Sequence, residues 1–413
     1  MTDTTRMVTR IEEAFRTDAG RILGAVTAYC GDLQLAEDVV QEAFLRALAQ
    51  EADDIGIDNP AAWITTAARR LAVDAIRRAR TAARALPALA AGAAEVVEDV
   101  GGFAFNGDER LELILTVCHP ELAEETRLAL ALRFVCGVPT RDVATMLLVA
   151  ESAMAARLTR AKKHLHDSAI RFAMADQRQV SERMPDALSV IALMYTVGYA
   201  APTQEGAALL RADAIALARD AHRVHLGGSE EAGLLALLLL TEARSASRVD
   251  AAGELVELAA ADRTRWDRGM LDEGERLATS ALTAGTGRFA LQAGIAGLHA
   301  LAPHWEETDW DGIARLYEGL VDLWPAPPAR LARIVARGYS STVGPASARL
   351  ELDADDELFA GATAAQAFAV RAELGILVGD DRSARDDLHA AVSRTSDPAV
   401  RRHLEKRIAA LGG

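Results

Sequence analysis

Aromatic side chains make up only 5% of this 413-residue sequence, cysteines number three, and no apolar run is long enough to cross a bilayer. Each scarcity excludes something. Cys30, Cys118 and Cys136 lie too far apart for a disulfide framework or a CxxC metal knuckle, so reduced thiols and a cytoplasmic location are expected. The longest apolar run, Leu234 to Leu240, falls far short of the roughly 20 residues that a membrane helix needs, and the N-terminus lacks the charged-then-apolar pattern of a signal peptide. Walker loops, dinucleotide fingerprints and metal-ligand clusters are missing too, which points away from an enzyme and leaves no cofactor or metal to expect. An excess of positive charge is also lacking: the net charge of −15 argues against simple whole-surface attraction to nucleic acid.

What is abundant favours helix. Half the residues are hydrophobic, with the strong helix formers alanine and leucine leading, and the length suits two to three domains. The charge is sorted along the chain. Residues 1–172 carry 20 Lys/Arg against 25 Asp/Glu, and the remainder carries 25 against 35. Within the first part, residues 69–84 hold six arginines and one aspartate, residues 157–171 hold five Lys/Arg and one aspartate, and residues 32–58 hold eight acids and one arginine. Two basic patches separated by acidic surface are more informative than the total.

Residues 8–80 read as helices throughout. Asp32, after Gly31, suits an N-cap, and Leu35, Ala36, Val39, Val40, Ala43, Phe44 and Ala47 then recur at helical spacing. Asp58-Asn59-Pro60 punctuates the chain, with Pro60 suited to a first helical position. Trp63, Ile64, Ala67, Leu71 and Ile76 give another amphipathic helix, whose apolar face favours Trp63 as a core residue over a stacking platform. Asp74 is spaced to reach Arg70, Arg77 or Arg78. Residues 81–104 lack an apolar face and read as a linker. A second helical unit occupies 105–172. There Val138-Pro139-Thr140 precedes a short helix, and a brief turn leads to a longer basic one with Met154, Leu158, Ala161 and Leu165 inward. This is a helix-turn-helix pattern. Cys118-His119 does not read as a nucleophile with its base, because adjacent helical residues rarely face each other. From 185 to 413 the pattern is helix after helix without a strand signal, over 186–197, 206–223, 229–246, 270–284, 288–301, 310–323, 362–378, 382–392 and from Pro398. Paired helices of this length suggest a helical-repeat array faintly like a tetratricopeptide repeat. The fold class expected is all-α.

Three stretches resemble the extracytoplasmic-function (ECF) sigma factors. Gly31-Asp32-Leu33-Gln34-Leu35-Ala36-Glu37-Asp38-Val39-Val40-Gln41-Glu42-Ala43-Phe44 is similar to the family's segment that docks on core RNA polymerase, and implies Asp38, Gln41 and Glu42 as polymerase contacts. Asn59-Pro60-Ala61-Ala62-Trp63-Ile64 with the following arginines resembles the segment that opens and reads the −10 promoter element, which implies Asn59, Arg69, Arg70, Arg77 and Arg78 at DNA, where arginines hold phosphates. Glu151 to Lys162 resembles the −35 recognition helix. Ser152, Thr159, Arg160 and Lys163 would face out, with Arg157 at the flank, and such a helix can enter a major groove. Ala153, Ala155 and Ala156 depart from the polar or basic residues that relatives often carry.

The rest resembles the ECF branch with a long C-terminal helical (TPR-like) extension, on Asp108-Glu109-Arg110-Leu111, Cys118-His119-Pro120-Glu121-Leu122, Asp262-Arg263 with Trp266, Leu291-Gln292-Ala293 and Thr308-Asp309-Trp310. It departs at Thr196-Val197 before Gly198-Tyr199 and at Ala332 before Arg333. The resemblance implies region 2 over 8–80, region 4 over 105–172, and a regulatory domain over 185–413 that acts on the sigma module from within the same chain. Asp262, Arg263, Trp266, Asp309 and Trp310 either line a pocket there, for a small-molecule or protein signal, or serve as salt links and aromatic packing between repeats, which the residue types favour. The expected partners are core RNA polymerase and promoter DNA, with no membrane. The alternative is a helical-repeat scaffold or ligand-binding protein with a degenerate sigma module.

Overall fold

In the computed structural model the chain is described over residues 3–52, 57–85, 107–147, 149–167, 177–200, 206–225, 227–250, 254–395 and 397–411. Among these the fold is all-α; the strand-like element is one isolated bridge between Val249 and Leu255. The chain divides into two compact units, residues 1–226 and 227–413.

The first unit opens with three mutually packed helices, α1 (Asp3–Cys30), α2 (Leu33–Ala52) and α3 (Pro60–Ala85). Their core is made of the periodic residues: Ile11, Ile22 and Val26 from α1, Ala36, Val40, Ala43 and Ala47 from α2, Ile64, Ala68 and Ala72 from α3. Residues 81–85 continue α3, and the rest of the expected linker lies outside the described residues. Then come α4 (Glu109–Val117), α5 (Glu124–Leu130) running into a π-turn at 131–135, α6 (Thr140–Met146) and α7 (Glu151–Asp167). The pair α8 (Gln177–Ala200) and α9 (Ala207–Val224) completes the unit, both packed on α4. The helix expected at 186–197 is thus longer at both ends. Pro185 lies inside it, because the buried face of Val180, Met184, Leu188 and Ile191 runs unbroken through the proline and outweighs one lost backbone hydrogen bond.

The second unit is a file of helices: α10 (Ser229–Glu242), α11 (Arg268–Ala284), α12 (Arg288–Leu301), α13 (Trp310–Leu323), α14 (Pro327–Tyr339), α15 (Pro345–Asp353), α16 (Ala364–Leu377), α17 (Asp381–Arg394) and α18 (Pro398–Ala410). Each packs on its successor. The core passes along the file in overlapping clusters, as in repeat arrays: one around Leu240 and Leu271, the next around Ile313 and Leu320, then Leu352 and Leu374, then Leu388 and Leu404. Two helices, α14 and α15, were not expected. Each opens with proline in its first turn, where proline is at home because those N–H groups have no intrahelical partner. The helix expected over 229–246 ends at Glu242.

Candidate nucleic-acid interface

Asp32 caps α2 as expected: one carboxylate oxygen accepts from the N–H groups of Gln34 (2.8 Å) and Leu35 (3.0 Å). The helix then buries Leu33, Ala36, Val39, Val40, Ala43, Phe44 and Ala47. On the far side Asp38, Gln41 and Glu42 are all exposed. They share that stripe with Leu45, 62% exposed, and Leu48, 37% exposed. Leu45 stands largely in water beside acidic groups, and such a mixed stripe suits a protein partner. Glu42 also pairs with Arg46 at 2.8 Å.

At α3 the amide oxygen of Asn59 accepts from the N–H of Ala62 at 3.1 Å, so this side chain caps the helix rather than pointing freely outward. Trp63 is half-buried beside the buried Ile64. Arg69, Arg70, Arg77 and Arg78 are all exposed. Arg78 donates to the backbone carbonyl of Asp74 at 3.2 Å, not to its carboxylate. Sequence reasoning missed Tyr29, which is 53% exposed and lies under the Arg69 guanidinium, 5.6 Å from its ring centre. An exposed aromatic beside arginines is the surface on which an unstacked base can rest. The signal was the rarity of aromatics in a chain with five tyrosines.

The helix-turn-helix consists of α6 and α7. Met154, Leu158, Ala161 and Leu165 are buried as expected, while Ser152, Thr159, Arg160 and Lys163 face solvent. Arg157 is half-buried and pairs with Glu125 at 3.0 Å, so its charge is partly answered within the fold. Lys162, next to the outward face, does something else: it reaches Glu37 of α2 at 2.7 Å.

The segment that leads into the helix-turn-helix is bound to α8 and α9 by a polar network centred on a buried arginine. Arg110, 5% exposed, donates to Asp108 at 3.1 Å and to Asp213 of α9 at 2.7 Å. The N–H of Asp108 donates to Asp220 at 2.6 Å, and Arg127 pairs with Asp186 of α8. Burial works against the charge of Arg110, but its bonds to Asp108 and Asp213 outweigh burial and hold its pKa above the ordinary arginine value. Burial, and then the charge of Asp186, pushes the Cys118 thiol up to about 12, so it is not a thiolate nucleophile at neutral pH.

In the second unit the five pocket candidates carry structural duties. Asp262 accepts from the N–H of Thr264, Asp309 caps α13 through Gly312, and Trp266 is buried and donates its indole N–H to Ser247 at 2.8 Å. Arg263 donates to the carbonyls of His299 and Ala302, answering the end of α12. Trp310 belongs to an aromatic cluster: it stacks on Tyr339 with centroids 4.6 Å apart and meets Trp305 and His299 edge-on. Burial, then the charges of Arg244 and Arg263, pushes His299 down to about 4, so it is neutral at physiological pH. Packing and capping, the reading favoured by residue type, therefore account for Asp262, Trp266 and Asp309. Among the described residues no group of acidic, histidine or cysteine side chains could hold a metal ion, and no helix is long and apolar enough to cross a membrane.

Residues 14–82 match the family Sigma-70 region 2, and residues 112–165 match Sigma-70, region 4. Residues 183–282 match a family of unknown function, DUF6596. An uncharacterized protein of Rhizobium meliloti (strain 1021) is 36% identical over 335 residues, covering 79% of this chain and 78% of that one. A probable ECF RNA polymerase sigma factor, SigI of Mycobacterium tuberculosis, is 27% identical over 163 residues, covering 39% of this chain and 56% of the relative. No solved structure matches the chain. With both sigma regions in order, an ECF sigma factor among its relatives and a matching extension behind them, the chain belongs to the ECF-type sigma factors that carry a long C-terminal helical extension.

Proposed function

We propose that this sigma factor binds core RNA polymerase through the exposed stripe of α2, with Asp38, Gln41 and Glu42 as polar contacts and Leu45 as the apolar one, and directs transcription from a small set of promoters. The −10 element is read beside Arg69, Arg70, Arg77 and Arg78, and the −35 element through Ser152, Thr159, Arg160 and Lys163. The observation that carries the reading is the pairing of faces on α2 and α7. Each helix buries one complete apolar side and leaves the opposite side, the one the family uses, open to solvent. With a net charge of −15 the free chain is expected to bind DNA weakly and to need polymerase for promoter recognition.

Asp38→Arg tests the first contact. Affinity for core polymerase should fall at least tenfold while helicity by circular dichroism stays unchanged; undiminished affinity sinks the assignment. Arg160→Ala should weaken −35 preference by about 1–3 kcal/mol if it reads a base, and should weaken all sequences alike if it holds a phosphate.

The extension regulates the sigma module from within the chain. Tethering supplies an effective concentration up to the millimolar range, enough to populate a weak contact. Helices α8 and α9 pack on α4 in the first unit, so the informative truncation ends at Leu226, not near Asp176. Higher promoter activity on truncation means inhibition, and lost activity with intact polymerase binding means a positive role. Identical behaviour at every step removes the regulatory reading.

A further inference from the structure

We propose that the second unit holds a binding site for a small planar anion, an aromatic carboxylate by chemical class. It is built where α12 ends and α13 begins, from Arg263, His299 and Thr308 and the rings of Trp305, Trp310 and Tyr339. The site does not depend on the promoter-reading function proposed above and is tested without it.

Three buried polar atoms there have no hydrogen-bond partner among the described residues: Nη2 of Arg263, Nδ1 of His299 and the hydroxyl oxygen of Thr308. Such atoms are rare in folded proteins, because burial removes their water and nothing replaces it. Here they gather. The other terminal nitrogen of Arg263 donates to the carbonyl of His299 at 3.0 Å and to that of Ala302. Thr308, 6% exposed, belongs to the turn that carries Trp305 and leads into Trp310.

The rings supply an apolar surface beside these atoms. His299 and Trp305 run nearly parallel, 13° apart with centroids separated by 6.4 Å, and both meet Trp310 edge-on, at 78° and 73°. Tyr339 lies flat against Trp310 and edge-on to Trp305. All four rings are only half-buried, so part of each stays open to solvent.

Charge decides the sign of the ligand. Aromatic rings alone would suit a cation. Around His299, however, the charges that count are the guanidiniums of Arg244 and Arg263, which add to burial in lowering its pKa. Burial, then the charge of Arg244, lowers the pKa of Arg263 too, against the pull of Glu306. Two other acids are engaged elsewhere. Glu373 binds Arg407 and accepts from the Tyr339 hydroxyl at 2.5 Å, and Glu257 pairs with His403 at 3.1 Å. An anion at Arg263 and Thr308 would receive charge-assisted bonds from donors that are otherwise unused, and an attached aromatic group would lie on the open rings. Arg263 is already held in place by the end of α12 and by the Trp266 ring, 4.7 Å below its guanidinium, so little order is lost when the ligand arrives.

The test uses the full-length protein with its tryptophans labelled at the indole nitrogen. There are five, Trp63, Trp266, Trp305, Trp310 and Trp324, so the indole N–H signals report place by place. The probe is indole-3-acetate, with its uncharged amide and the amine tryptamine as comparisons. The acid should move the signals of Trp305 and Trp310, leave Trp63 and Trp324 in place, and bind with a Kd of about 1 mM or tighter. The amide should bind at least about tenfold more weakly. Thr308→Val removes a hydroxyl that bonds nothing in the free chain, so the melting temperature should hold while affinity for the acid falls about threefold to tenfold. Arg263→Gln should bring acid and amide within about twofold of each other. That variant also loosens the end of α12, and Thr308→Val decides the matter should it fail to fold. No movement of Trp305 and Trp310 at about 10 mM acid, equal affinity for acid and amide, or no response to Thr308→Val overturns the site. Tighter binding of tryptamine than of the acid overturns the assignment of an anion.

Discussion

In the first unit, the polar bonds that join helices run between residues far apart in sequence: 103 positions for Arg110 and Asp213, 112 for Asp108 and Asp220, 125 for Lys162 and Glu37, 134 for His166 and Asp32. In the second unit they run between neighbours: 15 for Arg333 and Glu318, 16 for Arg371 and Asp387, 34 for Tyr339 and Glu373. The difference teaches how each unit can change. Parts joined by a few distant bonds can part as whole bodies, and a file joined step by step loosens from its ends. The second unit departs from this where Arg402 and Lys406 of α18 reach Glu254 across 148 and 152 positions and His403 reaches Glu257, and where Glu230 accepts from the N–H groups of Phe289 and Ala290 across 59 and 60.

The strongest attempt to break this comparison is Arg110→Ala. It leaves Asp108 and Asp213 facing a hole where a buried cation stood, a loss of about 3–5 kcal/mol, or roughly 6–20 °C in the melting of the first unit. The second unit's own transition should not move. A change under about 1 kcal/mol in calorimetry would show that the network is not a joint.

Leu404→Ala comes next. Leu404 is 3% exposed in the last core cluster, so truncation should cost about 2–3 kcal/mol. In a stepwise file the loss should appear as faster hydrogen exchange in α17 and α18 alone; protection lost evenly from α10 onward would show that the unit is one cooperative body.

Gly20→Ala should be milder, about 1–3 kcal/mol, because α1 and the π-turn can move apart to admit one methyl group. Its signature is a wider spacing between regions 2 and 4 with the three-helix core of α1 to α3 intact, read from amide exchange; an unchanged spacing would mean that the close approach is incidental.

The smallest effects are electrostatic and sharpen the local picture. Hydrogen bonds from Ser340, then Ser341, hold the Asp311 carboxyl down to about 2, against burial. A folded pKa below the unfolded one stabilises above the ordinary carboxylate value and loses that stabilisation as pH falls. The loop at Ser340–Thr342 should therefore stay ordered until the pH drops below about 4 and loosen towards 2. Carboxyl chemical shifts titrating at the ordinary aspartate value would contradict the geometry. Glu254 is held below its ordinary value by its bond to Lys406, against burial, and then by Arg402. Its clasp should likewise weaken as pH falls through the acid range, and with salt, seen as exchange at α18.

Much of this was legible because it repeats at helical spacing. The buried and open faces of α7 followed from Met154, Leu158, Ala161 and Leu165, and the start of α2 from Asp32. Proline marks two places where the helices differ from those expected: α8 runs through Pro185, ahead of the expected start at 186, and α14, which was not expected, begins at Pro327-Pro328. The pocket candidates illustrate another limit. Asp309 and Asp262 stand out in a chain of this composition, yet capping a helix needs only a short acidic side chain at its start, which says nothing of a ligand. The contacts between regions were not legible at all. Glu37 and Lys162 carry no pattern that relates them, and Gly20 and Gly24 announce a close approach without naming what approaches.

The bond between Arg110 and Asp213 bears on how such a chain can have been assembled. The DUF6596 match begins at residue 183 and so includes α9 and Asp213, yet α8 and α9 are packed into the sigma half. A recombination joint placed just after the helix-turn-helix would separate a buried guanidinium from one of its two carboxylates, and the product would begin its history destabilised. A joint after α9 would not. Gene fusions and exchanges within this lineage should therefore carry α8 and α9 along with region 4, and chimeras built in the laboratory should express well when joined near residue 226 and poorly when joined near residue 176.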